Sequence, residues 1–312
     1  MKAKLALVIL LLAAAACAQN RWLAIDSSLT GEKLEALVVL PPGYEEDGRR
    51  YPVLYFLHGW QSSPLNLSLL LDWDQLLAGL CHEGTMRPFI LVLPSSGDGG
   101  ESWYSDYQDG RAYERYFLEE LIPAVDRSFR TIASCQGRGI GGFSMGGFGA
   151  FKLLAKHPYA FGSASSVSGM LSLETFTLGW SLLPLRVFSY TFRHLYEDVF
   201  GPSVADWRRH DPKTLLAGLE RTLPEVFAQR SFFMAVGSKD EFLAADQADE
   251  VAEFFSAVGA DYTYQKVPGG RHNFFFLSSR LEAVFRFHSE IFARSSRHLL
   301  SYNANGKSRI AR

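Results

Sequence analysis

Apolar residues in this chain fall into short continuous runs separated by amphipathic stretches. Tyr51-Pro52-Val53-Leu54-Tyr55-Phe56-Leu57, Phe89-Ile90-Leu91-Val92-Leu93-Pro94 and Phe232-Phe233-Met234-Ala235-Val236 show no polar alternation. That is the pattern of strands buried on both faces of a sheet. Glu35 to Leu40, a short run ending at Ile140, Phe161 to Val167 and Tyr262 to Val267 read as further strands. Between them the spacing turns helical. Asp72 to Cys81, Tyr113 to Phe129 (with Phe117, Leu121, Ile122 and Val125 on one face), the stretch after Gly147, Ala245 to Val258 and Leu277 to Arg294 read as helices. Strands alternating with helices predict an α/β fold, a mostly parallel central sheet with helices on both faces.

Three stretches depart from that rhythm. Lys2 and Lys4 precede an unbroken apolar run, Leu5 to Ala16, which ends in small residues. This reads as a signal peptide over residues 1–18, too short for a comfortable membrane span, and predicts a secreted, periplasmic or cell-envelope protein. Ala16-Cys17-Ala18 offers cleavage before Gln19, whereas Ala14-Ala15-Ala16-Cys17 is similar to a bacterial lipobox and would leave Cys17 as a lipid anchor. Met170 to about Phe200 is crowded with Phe176, Trp180, Phe188, Tyr190 and Phe192. An insertion after a strand lands above the strand ends, where ligands bind, so Trp180 and Phe188 are candidate substrate-binding residues. Residues 295–312 read as a polar tail after a single domain spanning 19–294.

Composition narrows the function classes. The 312 residues are 47% hydrophobic and 21% charged, with a net charge of −2. A sizeable core is affordable, and nothing points to a nucleic-acid partner. No cluster of His, Cys and carboxylates has metal-ligand spacing, and no phosphate-binding glycine loop follows a strand. No metal or cofactor is expected. Cys81 and Cys135 are left to pair or stay free.

The chemistry centres on Gly142-Phe143-Ser144-Met145-Gly146. A G-x-S-x-G between strand and helix places a serine on a sharp turn whose neighbours must be small, with helix N–H groups facing a developing oxyanion. Asp240 follows the strand ending at Val236, and His272 follows the strand ending at Val267. The order serine, acid, histidine, each after a strand, is that of the α/β-hydrolase fold and selects Ser144, Asp240 and His272 as catalytic candidates. Glu241, beside Asp240, is the one close rival for the acid. The N–H of Met145 and that of Trp60, after His58-Gly59, are the candidate oxyanion donors.

With Tyr55-Phe56-Leu57-His58-Gly59, Ser102-Trp103-Tyr104-Ser105-Asp106, Gly237-Ser238-Lys239-Asp240 and Gly270-Arg271-His272 added, the chain resembles the putative-esterase (esterase D-like) family of α/β-hydrolases from about Leu34 to Phe292. That group includes S-formylglutathione hydrolases, tributyrin esterases, feruloyl esterases and mycolyltransferases. The resemblance implies a serine carboxylesterase acting on a small-molecule or carbohydrate-linked ester, or an acyltransferase to a sugar. A binding protein on an inactive hydrolase fold is the reading from another class.

Overall fold

The computed structural model describes residues 20–84, 86–176 and 193–306. Its strands are β1 (Asn20–Asp26), β2 (Lys33–Val39), β3 (Val53–Leu57), β4 (Ile90–Pro94), β5 (Arg138–Phe143), β6 (Ser163–Val167), β7 (Ser231–Gly237) and β8 (Asp261–Val267). They form one sheet in the order β1-β2-β4-β3-β5-β6-β7-β8. β2 is antiparallel to both neighbours, and β4 through β8 are parallel. The main helices are α1 (Pro64–Leu70), α2 (Trp73–His82), α3 (the consecutive helical segments Tyr113–Arg115, Tyr116–Leu121 and Ile122–Ser128), α4 (Met145–Lys156), α5 (Pro212–Thr222), α6 (Ala244–Val258) and α7 (Phe274–Gly306).

Alternation along each strand sends side chains to two separate cores. Val53, Tyr55 and Leu57 of β3 join Ile140, Phe148, Phe151, Phe232 and Phe255 on the face covered by α3, α4, α5 and α6. Leu54 and Phe56 join Leu91, Trp73, Leu281 and Phe285 under α1, α2 and α7. The chain leaves β3 for β4 on one side and then crosses back to β5 on the other. Connections therefore diverge between β3 and β5, which opens a crevice at their carboxyl ends.

Helices α1 and α5 were not among the expected elements, and two further elements also differ from the expectation. β1 was not foreseen: it is an edge strand whose alternation rests only on half-buried Leu23 and Ile25, too weak a signal to stand out. Helix α7 continues to Gly306 instead of giving way to a tail at Ser295, because no proline or glycine interrupts its hydrogen bonding before that glycine. The predicted signal segment lies outside the described residues. Cys81 and Cys135 are free thiols.

The glycines of β5 are explained by a buried histidine. His288 of α7 lies wholly inside, between Ser163 Oγ at 2.8 Å and Ser165 Oγ at 2.9 Å. A Cβ on Gly139 would fall 2.5 Å from its Nδ1, and one on Gly141 would fall 2.2 Å from Ser165 Oγ. Burial pushes the His288 imidazole down to about 3 and that of His58 down to about 4. Both are neutral when folded, yet in the unfolded chain they take up a proton near the ordinary value of about 6.5. Their folded values are depressed, so stability is full above about pH 6.5 and falls as the pH drops toward 4 and 3. Each contributes a slope of roughly 1.4 kcal/mol per pH unit in that window. Thermal unfolding followed from pH 7 to 4 should show a steady decline in midpoint; a flat profile would contradict the buried neutral imidazoles.

Candidate active site

Ser144 sits between β5 and α4 at φ 56°, ψ −120°, a conformation that side-chain-bearing residues rarely adopt. Its N–H donates to Val167 O of β6 at 2.9 Å, which fixes the turn against the sheet. The two motif glycines are required by close approach. A Cβ on Gly146 would lie 2.1 Å from Leu57 O, and one on Gly142 would lie 2.4 Å from the Gly146 carbonyl carbon. Helix α4 therefore starts pressed against the end of β3.

The loops after β7 and β8 bring in the other two groups. They cross so closely that a Cβ on Gly237 would meet Gly270 backbone at 2.2 Å. His272 Nε2 lies 2.8 Å from Ser144 Oγ, and its Nδ1 lies 2.9 Å from Asp240 Oδ2. The Asp240 side chain is fully buried, and its other oxygen accepts the Phe242 N–H at 3.0 Å. With Nδ1–H donating to the carboxylate, Nε2 is left to accept the serine hydroxyl proton. Phe143 and Phe242 flank the imidazole at ring distances of 5.0 and 4.6 Å. Glu241 takes a different place from its neighbour. It accepts the His272 backbone N–H at 3.0 Å and pairs with Arg271 at 2.6 Å, bracing the loop from outside.

The third wall is Leu57-His58-Gly59-Trp60. Gly59 lies against the nucleophile, with a virtual Cβ 3.4 Å from Ser144 Cβ. His58, buried and neutral, ties this loop to its neighbour: its Nε2 accepts the Ser96 N–H at 3.1 Å, which leaves Nδ1–H to donate to Gly59 O at 2.8 Å. Tyr104 OH donates to His58 O at 3.1 Å, and Gln61 N–H donates to Gly100 O at 3.0 Å. The N–H groups of Met145 and Trp60 are at the first position of α4 and in the turn after Gly59. Helix-start donors have no intrahelical acceptor and are free to meet an anion.

Sequence reasoning missed the foundation beneath this wall. Trp103 and Tyr104 both adopt positive φ, at 52° and 51°. Wholly buried Lys152 of α4 holds them, donating to Tyr104 O and Ser105 Oγ at 2.6 Å each and pairing with Glu114 at 3.0 Å. Burial pushes the ammonium down to about 8. Burial works against the Glu114 charge, but Lys152, His157 and Lys156 outweigh it and hold the carboxyl well below its usual range. The available signal was one lysine inside the apolar stretch Phe148 to Ala155. Trp103 in turn packs on Phe148, Phe176 and Phe200. Both flanks of the insertion therefore land on this loop. Trp180 and Phe188 lie outside the described residues.

A serine, an imidazole and a buried carboxylate in hydrogen-bonded sequence on the carboxyl edge of this sheet define an α/β-hydrolase. The chain belongs to the Putative esterase family, whose model matches residues 27–282. It is 40% identical over 142 residues to an esterase of Mycobacterium tuberculosis, a match covering 44% of this chain and 29% of that protein. An endo-1,4-beta-xylanase/feruloyl esterase of Xylanibacter ruminicola is 30% identical over 154 residues, 46% of this chain and 20% of that one. The chain thus spans less than a third of the length of these relatives. Among solved structures, a ferulic acid esterase superposes with a TM-score of 0.71 at 21% identity, covering 88% of this chain and 99% of the other. An S-formylglutathione hydrolase from Agrobacterium tumefaciens does so with a TM-score of 0.69 at 20% identity, covering 88% and 95%. At such identities the likeness establishes the fold.

Proposed function

We propose that this chain is a secreted or lipid-anchored serine carboxylesterase. The observation that carries the reading is the unbroken relay Ser144–His272–Asp240, at 2.8 and 2.9 Å, with the serine held on a strained turn. Ser144 Oγ attacks the ester carbonyl while His272 Nε2 takes its proton. The tetrahedral oxyanion is held by the N–H groups of Met145 and Trp60. His272 then protonates the departing alkoxide, and the acyl group stays on Ser144. Water, deprotonated by the same imidazole, attacks the acyl-enzyme; collapse releases the acid and restores the hydroxyl. Asp240 holds the imidazole tautomer and balances its transient charge.

The acyl group is proposed to be short to medium or aromatic, bounded by the insertion through Trp180 and Phe188. Support comes from its flanks, since Phe176 and Phe200 converge on Trp103 above α4. Placement in the cell envelope rests on the sequence of residues 1–18. Among the described residues no helix is long and apolar enough to cross a membrane.

The test is labelling of the protein with a fluorophosphonate, mapping of the modified peptide, and turnover of a p-nitrophenyl ester series. Modification at Ser144 with turnover highest for short, medium or aromatic acyl groups is the expected result. Absence of labelling would overturn the reading. Sugars added to the assay separate hydrolysis from transfer, since an acylated sugar among the products would show a hydroxyl other than water reaching the acyl-enzyme.

A further inference from the structure

Large apolar side chains are exposed together on one flank of the sheet, on the side of α1, α2 and α7. Leu65, Leu69 and Leu70 of α1 are 55%, 77% and 52% exposed. Trp22 of β1 is 49% exposed and pairs directly with Leu37, whose side chain belongs to the core under α1. Directly paired residues share a face, so the indole and the α1 leucines lie on the same side of the sheet. A recess of about 400 Å³ adjoins the end of α1, lined by Asn20 of β1 and residues 68–74. Single exposed leucines need no explanation, but a contiguous group on one short helix does.

The chain itself indicates what covers this face. Asn20 is held at its margin, with its amide donating to Asp74 Oδ1 at 3.3 Å. The apolar run Leu5–Ala16 ends four residues earlier, and Cys17 is three residues away. Three residues span at most roughly 10 Å. An anchor at Cys17 would therefore hold a bilayer within that reach of Asn20, which lines the same recess as Leu69 and Leu70. We propose that α1 and Trp22 form a docking face that rests on a lipid bilayer beside the N-terminal anchor. The inference builds on the envelope placement proposed above.

The physical chemistry suits lipid better than protein. Three leucines and one indole fall short of the roughly 800 Å² that each partner contributes to a standard protein interface. Tryptophan is favoured at the lipid–water boundary, where its apolar ring and polar N–H are both accommodated. Asp72 and Asp74 border the recess, so attraction is apolar and does not depend on anionic headgroups.

The experiment is flotation of the full chain with phosphatidylcholine vesicles, wild type against a Leu65→Ser, Leu69→Ser, Leu70→Ser variant. Leu69→Ser alone serves as a milder variant should the triple one fail to fold. The proposal expects vesicle affinity to fall roughly tenfold or more in the triple variant, with little dependence on salt. Turnover of a water-soluble ester should be unchanged, since these residues lie outside the proposed machinery. Equal flotation of wild type and variants overturns the proposal. So does binding that requires anionic lipid and vanishes in salt, or a concentration-dependent dimer without vesicles that the same substitutions abolish. Failure of the wild type to hydrolyse esters would strike the esterase reading alone, because flotation is read without substrate.

Discussion

Replacing Ser144 by alanine is expected to leave the fold intact and lower ester turnover by about 10⁴- to 10⁶-fold. In the proposed mechanism the Ser144 oxygen is the atom that bonds to the acyl group, and no neighbour can stand in for it. His272 Nε2 is 2.8 Å away but points its lone pair at that oxygen, not at a substrate carbon. What survives is the rate supplied by oxyanion donors and substrate positioning. Asp240→Asn should cost about 10⁴-fold by a different route. An amide at the Asp240 position can donate to Nδ1, which turns the imidazole to the tautomer whose Nε2 carries the proton and cannot accept one. Steady-state kinetics on p-nitrophenyl acetate, with circular dichroism to verify folding, checks both. Wild-type turnover in a folded Ser144→Ala protein would remove the serine from the mechanism.

The second large effect concerns one methyl group. Gly146→Ala places a carbon 2.1 Å from Leu57 O, and that oxygen belongs to the backbone of β3, where it cannot swing aside. Either α4 retreats from the sheet or β3 shifts, and both carry Ser144 away from His272 and Trp60. A loss of roughly 3 kcal/mol or more in stability is expected, together with activity at least about 100-fold lower, since a displacement near 1 Å is enough for that. Gly79→Ala on α2 is the matched control. A Cβ there meets nothing within 4 Å, so ordinary helix propensity should leave stability equal or raised by up to about 1 kcal/mol. Thermal melts of the two variants give the comparison, and equal melting points would show that the tight contact at Gly146 is not real.

Much of the sheet and the assembled residues were legible beforehand because buried strands write unbroken apolar runs. Once the strands are placed, chain order alone puts Ser144, Asp240 and His272 on one edge. The different placements of Asp240 and Glu241 were also readable, since a short side chain at a tight strand end reaches inward to His272 where a longer one turns out to Arg271. Elements held by weak or non-local terms were not. β1 is half exposed and pairs only at the edge, so its composition resembles a loop. Lys152 looks like any helix lysine until Glu114, 38 residues earlier, is folded beneath it. His288 gave no hint of its place because the cavity that receives it is made by the absent side chains of Gly139 and Gly141 in another element.

Ser144 and His272 are 128 positions apart, and the base arrives only when β8 adds to the far edge of the sheet beyond β7. During synthesis the serine emerges long before anything can deprotonate it. Every partial chain that ends before Gly270 therefore carries an inert hydroxyl on an unfinished scaffold. The hydrogen-bonded relay is completed in a single late step, when the last strand docks.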